Sequence, residues 1–238
     1  MDQISISNIT IDVVRKNIKN LHLGVYPPSG RVRIAAPLNV TDDSIRLFAI
    51  SKLSWIKRNQ QKFAGQERIP PREYKQRESH YFQGRRYLLN IVESEATPKV
   101  VLRNKKFIEL HVKPSTPTLK RHEILTEWYR VQLKKQIPPL IEKWEQILGV
   151  KVADWQVRQM KTKWGSCSIE EKRIWINLEL GKKPEQCLEY IIMHEMVHLL
   201  ERHHNERFLY YMDTYLPNWK QLKTELNELP VSHASWEY

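Results

Sequence analysis

Apolar and polar residues alternate from Ile9 to Val13 and again from Ile18 to Val25, the period-two pattern of half-buried strands. Pro27, Pro28, Ser29 and Gly30 interrupt the alternation before Val32 and Ile34 resume it, which predicts a turn and a hairpin. After Thr41 the period changes. Ile45, Phe48, Ala49, Leu53 and Ile56 recur at helical spacing behind a capping threonine and two acids, Asp42 and Asp43, so one helix is expected to run to about Gly65. The stretch Gln66–Ser79 is polar, contains Pro70 and Pro71 and has no period. It reads as a loop or proline-stiffened linker.

Strand patterns return in Tyr81–Val92 and Lys99–Val112, with a turn expected at Arg103–Lys106. From Leu119 the apolar positions Ile124, Trp128, Val131, Leu133, Ile137, Leu140, Ile141, Trp144 and Leu148 lie at helical spacing, and Gly149 is a natural stop. Pro138 and Pro139 are expected to kink or split that helix, because each removes a backbone donor. Strands are predicted over Val150–Val157 and Arg173–Leu180, and helices over Pro184 to about Arg202, His204–Tyr215 and Pro217–Leu229. No internal repeat is visible. The succession of strands and helices implies an α+β fold.

Charge divides this chain of 238 residues unevenly. Residues 1–116 hold 21 Lys/Arg against 10 Asp/Glu, whereas residues 117–238 hold 18 against 17. Two domains are therefore expected, a basic β-rich region with one helix (1–116) and a second domain (117–238), the first drawn toward something anionic such as nucleic acid. Between Lys57 and Arg86 nine Lys/Arg are interleaved with Trp55, Phe63, Tyr74, Tyr81, Phe82 and Tyr87, a weak signature of phosphate contact and base stacking. At 41% hydrophobic and 28% charged residues, the composition excludes disordered, collagenous and disulfide-scaffold classes. With no basic-then-apolar leader and no apolar run near the roughly 20 residues a bilayer requires, a cytoplasmic location is expected, with no membrane partner. Cys167 and Cys187 are expected to be two reduced thiols.

The predicted Pro184 helix contains His194-Glu195-Met196-Val197-His198. Two histidines four residues apart project from one helical face and can grip one ion, with Glu195 beside them to take a proton from bound water. Zinc suits such nitrogen donors, and a catalytic site uses three protein ligands and keeps one position open. The helix is apolar on nearly every side, so an unpartnered Glu195 carboxylate would cost several kcal/mol to bury. His203 and His204 follow closely enough to supply the third ligand, with Glu206 a weaker candidate. Spacing does not choose among them.

From Arg158 to Phe208, the run Arg158-Gln159-Met160-Lys161-Thr162-Lys163-Trp164-Gly165-Ser166-Cys167, followed by HEMVH and His204-Asn205-Glu206-Arg207-Phe208, resembles the YgjP-like metallopeptidase family and, more distantly, the WLM and SprT-like zinc proteases. The resemblance implies a zincin-like domain whose third zinc ligand lies ten residues after the first, at His204. Asn205 stands where serine is common, which leaves that spacing intact. The implied chemistry is hydrolysis by zinc-activated water with Glu195 as general base. A developing oxyanion calls for a second electrophile, and Arg158, Lys161, Lys163 and Tyr211 are candidates for binding substrate.

A polypeptide is the leading substrate. A nucleoside triphosphate held by Arg158, Lys161 and Lys163 is the alternative within enzymes. The alternative from another class is a nucleic-acid-binding module, or a DNA-associated protease linked to restriction systems, as the SprT-like and YgjP-like resemblances imply. Nucleophilic catalysis at Ser166 or Cys167 has little support, since no Gly-x-Ser-x-Gly elbow surrounds the serine and no base is evident for the thiol. Gly165 and Trp164 are expected to form a tight turn and to fill core beside the zinc helix.

Overall fold

A computed structural model describes residues 2–26, 29–64, 68–69, 72–160, 163–228 and 231–232. The chain forms two compact units, Met1–Arg68 and Ile69–His233, each with its own hydrophobic core. The expected break at residue 116 is not where the units part. The strands that precede it share a continuous core with the long helix that follows, through Leu89, Ile108, Leu110, Leu125, Tyr129 and Leu133. The basic run Lys57–Arg86 is accordingly shared between two units. Two of its aromatics, Phe82 and Tyr87, are core residues.

The first unit comprises β1 (Asp2–Ile6), β2 (Ile9–Lys16), β3 (His22–Tyr26), β4 (Arg31–Pro37), α1 (Asp42–Ser51) and α2 (Leu53–Ala64). Its sheet has the order β1-β2-β4-β3. β1 is antiparallel to β2, β2 parallel to β4, and β3 antiparallel to β4, so the predicted hairpin is β3–β4. Thr41 caps α1 as expected, its side chain accepting from the Ser44 amide at 3.3 Å. The single predicted helix is two. Ser51 donates to the Phe48 carbonyl at 2.7 Å, a local side-chain bond that competes with helical pairing, and the Lys52 amide closes the first helix on Ala49 at 3.1 Å. The stop expected at Gly65 lies outside the described residues.

The second unit begins at the boundary strand β5 (Arg68–Ile69) and continues with β6 (Ser79–Phe82), β7 (Arg85–Glu93), β8 (Lys99–Arg103) and β9 (Phe107–Val112). The stretch read as one strand, Tyr81–Val92, contains a two-residue reversal. Gln83 and Gly84 both have positive φ, 49° and 76°, as a tight hairpin turn requires. The turn expected at Arg103–Lys106 lies between β8 and β9, with Asn104 and Lys105 at positive φ.

α3 (Thr118–Leu148) is one helix of 31 residues with Pro138 and Pro139 inside it and Gly149 as a left-handed cap. The prolines do not split it. The carbonyls they leave unpaired belong to Lys134 and Lys135, on the exposed face, where water can bond them. Leu125, Tyr129, Leu133, Ile137, Ile141, Trp144 and Leu148 keep the opposite face in the core.

The remaining elements are β10 (Asp154–Arg158), β11 (Gly165–Ser168), β12 (Arg173–Asn177), a 3-10 turn (Leu178–Lys182), α4 (Glu185–Val197), α5 (Glu206–Tyr215) and α6 (Trp219–Glu228). β12 is central, parallel to β10 and antiparallel to β11, which leaves β11 at the edge. The strand expected to reach Leu180 stops at Asn177, whose side chain accepts the Glu179 amide at 3.1 Å and starts the 3-10 turn. The architecture is α+β. Among the described residues no helix is long and apolar enough to cross a membrane.

Candidate metal centre

α4 is pinned at its start. The β6–β7 turn donates from the Gln83 and Gly84 amides to the Gly181 and Lys182 carbonyls, at 3.1 and 3.2 Å. The Gln83 side chain bonds the Glu185 carboxylate in the first turn of α4. A Cβ on Gly84 would lie 2.7 Å from the Pro184 ring, so glycine serves here both for the positive φ and for the close approach. From that anchored end α4 runs through the core, with Leu188, Ile192, Met193, Met196 and Val197 almost fully buried. It ends earlier than predicted, at Val197, where 3.0 and 2.9 Å bonds from Leu199 and Leu200 tighten the last turn.

His194 stands in the last turn of α4 and His198 at its cap, and His204 comes from the loop beyond. Among the described residues these are the histidines that gather, each offering a nitrogen within 4.8 Å of the others. His194 Nε2 and His204 Nε2 are 3.1 Å apart. The Nδ1 of His198 lies 3.1 Å from the Glu201 carbonyl, which leaves its Nε2 to face the cluster. His194 Nδ1 is buried without a hydrogen-bond partner among the described residues. Packing holds the ring, with Tyr190 on one side at 5.9 Å between centroids and Phe208 on another at 5.0 Å. Phe208 also lies 4.9 Å from the His198 ring and 4.6 Å from that of His204, so this buried phenylalanine of α5 forms a floor under all three imidazoles.

The geometry fits a small divalent ion. Two nitrogens at about 2.05 Å from a tetrahedral centre stand about 3.3 Å apart, close to the spacing of the His194 and His204 nitrogens. Burial, and then the charges of the other imidazoles and of Lys223, push His194 down to about 3. His198 and His204 are likewise lowered, burial first. Neutral imidazoles are the form that binds metal.

His203 and Glu206 are not part of this gathering. The His203 amide bonds the Glu201 carboxylate at 3.2 Å, and Asn205 caps α5 by accepting from the Phe208 amide at 3.1 Å. Serine and asparagine are nearly equivalent caps, so the departure at Asn205 preserves the turn that presents His204.

Glu195 is 6% exposed. Burial raises its carboxyl to about 8, with Lys163 pulling the other way. Its place is set by Gly165, where a Cβ would meet Glu195 Oε1 at 2.5 Å and Cγ at 2.7 Å. The reason for this glycine is thus the carboxylate pressed against it, and the residue begins a strand where a tight turn was expected. Asn177 steadies the approach to that strand, its amide donating to the Met160 and Lys163 carbonyls at 2.8 and 2.7 Å. The Cys167 thiol is pushed up to about 12, by burial and then by Glu195.

Histidines, Glu195 and β11 line one cleft of about 940 Å³. Of the residues expected to bind substrate, Lys163 is in its wall. Arg158 instead lies over the Trp175 ring at 5.0 Å and donates to Gln156 at 3.0 Å. Tyr211 stacks on Tyr215 at 6.4 Å, with Arg207 6.0 Å from its ring. Lys161 lies outside the described residues. Sequence reasoning did not single out Phe208, the β11 edge or Lys223, which also lines the cleft. For Phe208 a signal existed, an apolar residue four after His204 on the face α5 buries.

No curated protein matches the chain. The solved structures that share part of it include two metallopeptidase zymogens. The metallopeptidase zymogen abylysin of Pyrococcus abyssi is 22% identical, with a TM-score of 0.35, over 37% of this chain and 89% of that one. The metallopeptidase zymogen jannalysin of Methanocaldococcus jannaschii is 21% identical, with a TM-score of 0.35, over 38% and 87%. Residues 19–229 match the model of the YgjP-like metallopeptidase domain, and the chain therefore belongs to the YgjP-like metallopeptidase family.

Proposed function

We propose that the protein is a zinc-dependent peptidase of the zincin type, with the ion on His194, His198 and His204 and Glu195 as general base. One observation carries this reading: three imidazole nitrogens within 4.8 Å of one another share a cleft with a buried carboxylate that makes no ion pair among the described residues. When bound, such an ion polarises a carbonyl and lowers the pKa of a bound water toward about 7. Glu195 takes the proton from the attacking water and returns it to the leaving amine. Gly165 fixes where the carboxylate stands, and Lys163 favours its charged form. Cys167 stays protonated at neutral pH and is not the nucleophile.

β11 suits a polypeptide. It is an edge strand, paired on one side with β12, and it runs along the cleft. An extended chain can pair with its free backbone groups. The nucleotide reading needs Arg158 in the cleft, and the guanidinium's engagement with Trp175 and Gln156 favours peptides over phosphoanhydrides.

The test is metal analysis paired with turnover, using a quenched-fluorescent peptide library, casein and a nucleotide panel. Zinc-loaded protein cleaves peptides, Glu195→Gln retains zinc and loses turnover, and His204→Ala loses zinc. Full zinc in His204→Ala, or undiminished cleavage by Glu195→Gln, overturns the assignment.

A further inference from the structure

A general base works only if its carboxylate stands where an attacking water can reach it, and the place of Glu195 is set from outside its own helix, by the backbone of Gly165. What holds Gly165 is the residue at the end of β12. Asn177 is 4% exposed. Its Nδ2 donates to the Met160 and Lys163 carbonyls at 2.8 and 2.7 Å, and its Oδ1 accepts the Met160 and Glu179 amides at 3.4 and 3.1 Å. Its own backbone amide donates to the Trp164 carbonyl at 2.9 Å. Both donors and the acceptor of one side-chain amide are therefore in use, and three of the four bonds go to the residues that lead into β11. The 3-10 turn that Asn177 starts leads in the other direction into α4. Both sides of the Gly165–Glu195 contact are thus anchored in one segment. Starting that turn needs only an acceptor, so the cap does not account for the two donor bonds.

We propose that Asn177 is a positioning residue for catalysis, whose two amide donors hold the chain before β11 so that Gly165 stands against Glu195 and keeps the carboxylate in place for proton transfer. The inference rests on the reading of Glu195 as general base. It makes the donors, rather than the cap, the part on which turnover depends. Aspartate separates the two functions: it has nearly the same shape and caps as well as asparagine, but as a carboxylate it has no donor to offer the two carbonyls. A shift of Gly165 by about 1 Å is enough to matter, since misplacing a reacting group by that much costs about 10²-fold in rate.

The experiment compares wild type, Asn177→Asp and Asn177→Ser, each alone and combined with Glu195→Gln, by amide hydrogen exchange on the purified protein and by peptide cleavage after zinc loading. Serine also caps the turn and leaves room for water at the two carbonyls, so it carries the test if the aspartate variant does not fold. Exchange of the β11 amides that pair with β12 speeds up at least about tenfold, while exchange in the middle of α4 is unchanged. The kcat falls about 10–10²-fold and KM stays within about threefold, at unchanged zinc content. In the Glu195→Gln background the same substitution changes the residual kcat by less than about twofold, because its effect passes through that carboxylate. Unchanged exchange in β11, or unchanged kcat, overturns the proposal. So does a loss carried by KM, which would make the chain before β11 a substrate contact, and so does an equal loss with and without the Glu195 carboxylate, which would make Asn177 merely structural. A wild type that cleaves no peptide, or a Glu195→Gln variant as fast as wild type, overturns the general-base reading and the catalytic role with it, while the exchange result decides separately whether Asn177 holds β11.

Discussion

The sheet of the first unit and the sheet β6-β7-β9-β8 have the same plan: a hairpin with a two-residue turn, a parallel central pair, and a second hairpin whose last strand is central. Ile6 pairs with Ile9 in one and Phe82 with Arg85 in the other. What differs is the use of the first turn. Gln83 and Gly84 dock on the segment that starts α4, whereas Ser7 and Asn8 make no backbone bond to another element among the described residues. Topology is therefore not what makes a sheet functional here. One glycine, close enough to Pro184 to forbid a side chain, turns a common framework into a support for the site.

Two buried carboxylates repeat the contrast. Asp12, in the first sheet, is 5% exposed. Burial would raise it, yet the Gln3 amide at 2.8 Å and the Arg31 and Arg33 guanidiniums outweigh that and hold it low. Glu195 is as little exposed, at 6%, but there burial prevails over the charge of Lys163. A carboxylate provided with partners is structural, and one kept short of them is available for proton transfer.

The largest effect expected from this contrast is on turnover. Glu195→Gln lowers kcat about 10²–10⁴-fold with metal retained, while Asp12→Asn leaves kcat within twofold and costs about 1–3 kcal/mol of stability, read from peptide cleavage and urea unfolding. An Asp12→Asn variant with impaired catalysis would break the distinction. Next, Gly165→Ala displaces the Glu195 carboxylate and reduces kcat about 10–10²-fold at constant zinc content, because misplacing a reacting group by about 1 Å costs that much. Activity equal to wild type would show that the carboxylate's place is not set by this contact.

Smaller effects test the two turns. Gly84→Ala costs about 1–3 kcal/mol, from the positive φ and the Pro184 contact, and weakens zinc retention. Ser7→Gly, in the matching turn, shifts stability by only about 0.5 kcal/mol. Equal costs would remove the distinction between the sheets. The smallest effect is a response to acid in the second unit. Burial pulls His80 in β6 down to about 4, against the neighbouring Glu78. The unfolded chain thus binds a proton below about pH 6.5 that the folded chain resists until about pH 4. Stability therefore falls as the pH drops through that interval, and His80→Gln flattens the slope. The counterpart of His80 in β1 is Ile4, so the first sheet lacks this response; hydrogen exchange resolved by unit separates the two.

Much of this was legible in the residues. The HExxH run announced two histidines and an acid on one helix, because helical spacing alone brings positions four apart together. His204 required the family resemblance, since a loop's path is decided by contacts such as Asn205 with Phe208 that spacing does not reveal. The hairpin at Gln83–Gly84 was hidden because Tyr81–Val92 carries apolar residues on both sides of the turn. β11 went unread because Gly165–Ser168 is short and lacks the branched and aromatic residues that mark strands. The repeat of topology could not be seen, as pairing sense depends on partners distant in the chain. Lys223 resembled any lysine on an amphipathic helix until α6 was seen to border the cleft.

Ten residues separate the first histidine from the last, and most of the cost of bringing them together has been met before any ion arrives. The Glu201 carboxylate holds the His203 amide, Asn205 starts the next helix, and Phe208 receives the rings. The closure entropy of that segment is thus borne by folding, and in the proposed metal site the affinity for a cation depends on how firmly α5 stays docked. Loosening α5 should release the ion even with every donor atom still in the sequence.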